Sequence, residues 1–169
     1  MNTIVDGIIS LFGGITGTLI GKQITVFIIS LLPILELRGG LLAASLLGLD
    51  PISSYIICVI GNILPIPLIL WFLDKVFDFM KRFKTTKKIV DWLEKKANSK
   101  KEQIQKYGYF GLLLFVGIPL PGTGAWTGCL IATVLQMDKK KSFVYALLGV
   151  IMASIIMMLI SFGLLKMFI

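Results

Sequence analysis

Apolar residues in this chain come in long runs, and charged residues gather between the runs. A helix needs about 20 mostly apolar residues to cross a ~30 Å hydrocarbon core. Ile4 to Ile20 is the first run, rich in glycine (Gly7, Gly13, Gly14, Gly17) and carrying Asp6. At ~1.5 Å per residue it reaches about 25 Å, which predicts a short first crossing, with an interfacial helix as the alternative. Gln23 to Leu49 is the second run, and as one helix it would be roughly 40 Å long, too long without strong tilt. Its middle, Pro33-Ile-Leu-Glu-Leu-Arg-Gly-Gly40, holds a proline and a glycine pair, residues that interrupt a helix. The pattern predicts two half-helices of about ten residues that reach the midplane and return. Asp50-Pro51 then opens a plain span, Ile52 to Leu73, of about 33 Å, with proline at the first turn. Gly61, Asn62, Pro65 and Pro67 predict a kink near its centre, and Trp71 an interfacial aromatic.

The only strongly polar stretch is Asp74 to Lys106, with eleven basic residues against five acidic ones. By the positive-inside rule it faces the cytoplasm. Ile89, Trp92, Leu93 and Ala97 recur in it at helical spacing, as in a helix lying on the membrane surface; a solvated charged connector is the alternative. Tyr107 to Met137 is again a long apolar run broken in the middle, at Gly117-Ile-Pro-Leu-Pro-Gly-Thr-Gly124. Asp138-Lys-Lys-Lys141 precedes a last uncharged span, Ser142 to Leu165, of about 36 Å.

Shifted by 88 residues, the chain matches itself at marked positions: Pro33 with Pro121, Gly40 with Gly128, Ala44 with Ala132, Asp50 with Asp138, Ser54 with Ser142, and Gly61 with Gly149. Two structural repeats follow, roughly 22–73 and 107–165. Charge decides their orientation. If each broken segment crossed fully, Lys139 to Lys141 would lie outside, against the positive-inside rule. If each enters and leaves on one side, both basic stretches face the cytoplasm. The expected fold is therefore an all-α integral membrane protein of two inverted repeats, each a re-entrant helical hairpin plus a transmembrane helix. It is one membrane domain, 1–169: an N-terminal hydrophobic helix (1–21), repeat 1 (22–73), a basic cytoplasmic connector (74–106) and repeat 2 (107–165).

Composition agrees with a multi-pass plasma-membrane protein: 56% of the 169 residues are hydrophobic and the mean hydropathy is +0.91. The net charge of +8 sits mostly in the connector, where topology and lipid headgroups account for it without nucleic acid. With no histidine, proton coupling would fall to carboxylates. Cys58 and Cys129 lie in apolar runs and read as small buried hydrophobes, with no disulfide or metal site indicated. The N-terminus lacks the basic region and cleavage site of a signal peptide, so it is expected to be retained.

The candidate chemistry lies at the two breaks. Glu36 and Arg38 are charges at the depth where charges are costly and mark functional sites. Each break also begins a half-helix, at Gly39-Gly40 and near Thr123-Gly124, whose N-terminal amides and dipole can bind an anion. Arg38 suits bidentate binding of phosphate or carboxylate. Thr123 could cap the second half-helix, and Trp126 could wall the cavity between the tips. Apolar surroundings favour the neutral form of Glu36 and Arg38 the charged form, which makes Glu36 the candidate proton carrier. The alternative is a structural Glu36–Arg38 pair and, at 119–124, a tight turn without substrate contact. The substrate- and proton-binding set is thus Glu36, Arg38, Gly39, Gly40, Pro119, Pro121, Gly122, Thr123, Gly124 and Trp126.

Glu36-Leu-Arg-Gly-Gly40 followed by Gly117-Ile-Pro-Leu-Pro-Gly-Thr-Gly-Ala-Trp-Thr-Gly128 resembles the small multi-drug export protein family, a distant relative of the DedA membrane proteins that share the VTT domain. The resemblance covers nearly the whole chain and implies paired re-entrant hairpins. It also implies the activities associated with the DedA relatives: proton-dependent transport, undecaprenyl phosphate recycling and lipid scrambling. Those relatives carry an acidic residue in the first hairpin, matched here by Glu36, and arginines in the second. The second hairpin here has no arginine, and Arg38 supplies the midplane cation instead.

The favoured function is proton-coupled transport of an anionic amphiphile, such as a polyprenyl phosphate or phospholipid, at a midplane site between the hairpins. Export of lipophilic cations or drugs in exchange for protons is the second reading, and a non-transporting scaffold the third. No catalytic constellation, cofactor or metal is expected. The partners are membrane lipids and a coupling ion, with a homodimer as the candidate assembly that would bury the hairpin flanks.

Overall fold

The structure, a computed structural model, describes residues 17–81, 91–92, 95, 107–120 and 122–164. The helix expected over 1–21 and the surface helix of the connector lie almost wholly outside these. Among the described residues the regular structure is all helical, with turns between the helices and no strand. The helices are α1 (Leu19–Leu31), α2 (Glu36–Leu46), α3 (Pro51–Ile63), α4 (Pro65–Lys81), α5 (Gly108–Gly117), α6 (Ala125–Val134) and α7 (Lys139–Met158). A π-helical stretch, Leu159–Leu164, continues α7.

Among the described residues, two stretches are long and apolar enough to cross a membrane, Pro51–Leu73 with 23 residues and Lys139–Gly163 with 25. The first is the plain span read from the sequence, and its break falls at Leu64, where α3 gives way to α4 before Pro65. Proline at 65 has no N–H to continue the ladder, so the break follows from chemistry. Ile52, Ile56, Ile60, Leu64, Leu68 and Phe72 are all exposed at a spacing of four. In water such a row would be an aggregation hazard; in a bilayer it is a lipid-facing surface.

The chain forms two compact units, one of Met1–Leu64 with Ile151–Ile169 and one of Pro65–Val150. In the first, α1 and α2 form a helical hairpin packed on α3. Its base is closed by Lys22, whose Nζ donates to the Leu47 carbonyl at 2.9 Å. Small residues let the three helices approach. A Cβ on Gly61 would meet the Phe27 carbonyl oxygen at 3.0 Å, and one on Gly40 would strike Ser30 Oγ and Cys58 Sγ. The hydroxyls inside this packing are satisfied along their own helix: Thr25 donates to Gly21 O at 2.9 Å and Ser30 to Val26 O at 2.8 Å. The π-helical stretch is tied in by Ser45 Oγ, which donates to Ser161 O at 2.7 Å.

In the second unit, α5 and α6 form another hairpin, and α6 packs on α4. Its base is closed by Tyr109, whose hydroxyl accepts from the Asp138 N–H at 3.1 Å. Gly149 of α7 lies against α5, where a Cβ would come within 2.8 Å of the Leu113 carbonyl. Trp71 meets Phe143 edge-on, ring centroids 6.0 Å apart.

Several positions 88 residues apart share local geometry. Gly48 and Gln136 both take left-handed φ, 65° and 53°, after α2 and α6. The bonds around them coincide: Leu49 N to Ala44 O and Met137 N to Ala132 O are both 3.0 Å. Asp50 accepts from Ser53 N and Asp138 from Lys141 N, each at 2.8 Å, so each aspartate caps the long helix that follows.

Candidate functional site

In the first unit the site is built at the turn between α1 and α2. Leu32 precedes a proline, which disfavours helical backbone, and it is extended (φ −72°, ψ 138°), ending α1. The turn closes when Glu36 N donates to Leu32 O at 2.9 Å. Glu36 itself sits at φ 52°, a left-handed conformation that costs an ordinary L-residue ~1–2 kcal/mol. Such strain persists only where the surroundings over-determine it. Glu36 is 4% exposed and Arg38 9%, so both charges are buried. The two interact electrostatically. Residues two apart on a regular helix face apart, and the left-handed Glu36 departs from that regularity.

Gly39 and Gly40 do not form the break, as the pattern led us to expect; α2 already begins at Glu36. Both are closely packed. A Cβ on Gly39 would lie 2.7 Å from Leu35 Cβ, and Gly40 is the floor on which Ser30 and Cys58 rest. The sequence reading also passed over a polar group, treating Asn62 only as part of a kink. Asn62 is 1% exposed, and its Oδ1 accepts no hydrogen bond among the described residues. A lone amide inside a long apolar span was the available signal.

In the second unit the turn between α5 and α6 is longer. Ile118, again before a proline, is extended (φ −83°, ψ 120°) and ends α5. Gly122 (φ 77°) and Gly124 (φ 138°) take conformations that only glycine adopts at little cost. Gly124 is the N-cap of α6 and no side chain caps that helix. Thr123 is therefore not the cap proposed from sequence. Its hydroxyl instead lies 2.8 Å from Leu120 O and 3.0 Å from Ile118 O, folding the loop on itself. Pro119 lies in this loop, and Pro121 falls outside the described residues.

A largely apolar cavity of about 240 Å³ runs along α5 to the loop, lined by Tyr107, Gly111, Leu114, Phe115, Ile118, Leu120 and Thr123. That is below the ~300 Å³ of the smallest drug-sized pockets, so it suits a chain or a ring. Trp126 does not line it; it is half-buried within α6. The polar chemistry of the predicted set thus resides in the first unit, and an apolar cavity in the second.

A family model described as "Putative small multi-drug export protein" matches residues 36–156. Searches of curated proteins and of solved structures find no significant match. The matched span opens at Glu36 and takes in α2 through most of α7, well over half of the 169 residues. Together with the apolar helices this makes the molecule a membrane protein of the export class. The chain belongs to this family of small multi-drug export proteins.

Proposed function

We propose that the chain is a proton-coupled membrane transporter of anionic amphiphiles, with Arg38 as the anion site and Glu36 as the proton site. The observation that carries this reading is the buried Glu36–Arg38 pair at a strained turn. Helix lengths support its depth. The hairpin arms have 13, 11, 10 and 10 residues, about 15–20 Å each, half of a ~30 Å core. An arm of that length with a polar base enters and leaves a bilayer on one face, leaving its turn at mid-depth. Both hairpins are re-entrant on this reading, the connector 74–106 is cytoplasmic, and the membrane is the plasma membrane.

Coulombic competition supplies the coupling. While Glu36 is ionised it neutralises Arg38, and an anion gains little by entering. A proton on Glu36 removes the opposing charge beside the guanidinium, so that Arg38 and the N-terminus of α2 together attract an oxyanion. Proton and anion then occupy the site together. A lipophilic cation would have to displace Arg38 from Glu36, which the same electrostatics disfavour. The family description speaks for that second reading, export of lipophilic cations bound by Glu36.

Ligand-induced thermal stabilisation of the detergent-purified chain separates them, because a ligand that binds only the folded state adds RT ln(1 + [L]/Kd), ~2.7 kcal/mol at a hundredfold excess over Kd. Wild type, Glu36→Gln and Arg38→Ala are compared against dodecyl methyl phosphate, whose charge does not change near neutral pH, and against tetraphenylphosphonium. Phosphate stabilisation that grows as pH falls in wild type, stays at its low-pH level in Glu36→Gln and vanishes in Arg38→Ala supports anion transport. Cation stabilisation lost in Glu36→Gln replaces it with drug export. No response to either, with all three proteins folded, leaves a scaffold.

A further inference from the structure

Buried hydroxyls in this protein mostly bond back along their own helix. Thr25, Ser30, Ser54 and Thr133 each donate to the carbonyl four residues earlier, and Ser154 to the one three earlier. Ser142, in the regular first turn of α7, needs only a side-chain rotation to reach the Asp138 carbonyl in the same way. Ser161 differs. It is fully buried, and its Oγ has no hydrogen-bond partner among the described residues. The reason lies in the helix around it. Leu159–Leu164 is π-helical, with bonds that span five residues, so the Met157 carbonyl no longer lies one turn beneath the Ser161 hydroxyl. The Ser161 carbonyl is meanwhile taken by another helix: Ser45 Oγ of α2 donates to it at 2.7 Å. Both serines belong to the first compact unit.

We propose that the end of α7 is a two-register switch, with Ser45 as the latch that holds the π form. In the α register the ladder tightens by one residue, and Ser161 reaches the Met157 carbonyl as the other serines reach theirs. Gly163 turns about the helix axis, and the Ser161 carbonyl leaves Ser45. A Cβ on Gly163 would meet nothing within 4 Å, so the turn has room there. Ser45 then donates to the Leu41 carbonyl, four residues back on α2. The α form satisfies the buried hydroxyl; the π form keeps the tie between α2 and α7. A trade of hydrogen bonds leaves a free-energy gap small enough for both forms to be populated. Glu36 is the first residue of α2 and Ser45 lies in its last turn, so opening the latch frees the base of the arm that carries the two buried charges. The switch stands on the fold and does not depend on which ligand binds.

Spin labels at Ile52→Cys and Gly163→Cys, both exposed positions of the first unit, report the turn as a distance in the full-length chain. Cys58 and Cys129 are replaced by alanine so that only these positions carry label. With Ser45 and Ser161 intact, a major distance for the π form and a minor one for the α form are expected. Ser45→Ala removes the latch and raises the minor-to-major ratio about fivefold, the strength of one net hydrogen bond. Ser161→Ala removes the hydroxyl that the α register satisfies and lowers the ratio by a similar factor. Ser45→Thr keeps the donor and the original distribution. A ratio unmoved by Ser45→Ala, or moved in the same direction by both alanines, overturns the switch. If Ser45→Ala does not fold, Ser161→Ala decides: the minor distance shrinks, or the proposal falls. None of these outcomes bears on the anion reading, which phosphate stabilisation tests separately.

Discussion

Glu36 concentrates the residue-scale physics of the molecule: a carboxylate, buried, in a backbone conformation that ordinary side chains avoid. Glu36→Gly should relieve ~1 kcal/mol of backbone strain while removing the carboxylate, so stability rises or holds as coupling disappears. Chemical denaturation paired with the phosphate pH profile checks this, and a marked loss of stability would show that the carboxylate is chiefly a structural partner. Gly40 is the converse case, a residue defined by what it lacks. Gly40→Ala should destabilise the first unit by ~1–3 kcal/mol, because the methyl would occupy the place of Ser30 Oγ. Ser30→Ala should return part of that loss. A double-mutant cycle in a thermal assay measures the coupling; strict additivity would contradict the contact.

At the scale of elements, the hairpins are specified by short-range rules. Leu32 and Ile118 leave the helix because prolines follow them, and Asp50 and Asp138 begin the long helices because a carboxylate can accept the free amides of a first turn. The left-handed residues that end α2 and α6 offer a paired test. Gly48 has open space around it, so Gly48→Ala meets only the backbone penalty, about 1 kcal/mol. Gln136 already bears that penalty, and Gln136→Gly should gain a similar amount. Opposite shifts in apparent Tm are expected; shifts of the same sign would mean the two turns differ in kind.

At the scale of the whole molecule, the long segments are shared between units: α3 and the end of the chain belong with the first hairpin, α4 and most of α7 with the second. The re-entrant reading can be tested within the second unit alone. Lys95 and Lys140 are both exposed and flank the second hairpin in sequence. If that hairpin returns to its own side, Lys95→Cys and Lys140→Cys react with a membrane-impermeant maleimide from the same face, only after the inner surface is opened. Labelling from opposite faces would mean that α5 and α6 cross the bilayer between them.

Read alone, the sequence determined the two broken segments, the two plain spans and an interruption near the centre of the first span, and it singled out Glu36 and Arg38 as charges in apolar surroundings. Each of these is local: a proline's missing amide, a run length set against a bilayer, a charge set in apolar surroundings. Tertiary structure decided what depends on neighbours distant in sequence. Gly39 and Gly40 became packing surfaces because Leu35, Ser30 and Cys58 crowd them, and α2 started at Glu36. Thr123 turned to Ile118 and Leu120 because Gly124 took the cap position. Asn62, one amide among apolar residues, became notable only when packing buried its oxygen with no donor among the described residues. Local chemistry names the groups that can act, and burial against distant segments selects which of them have to.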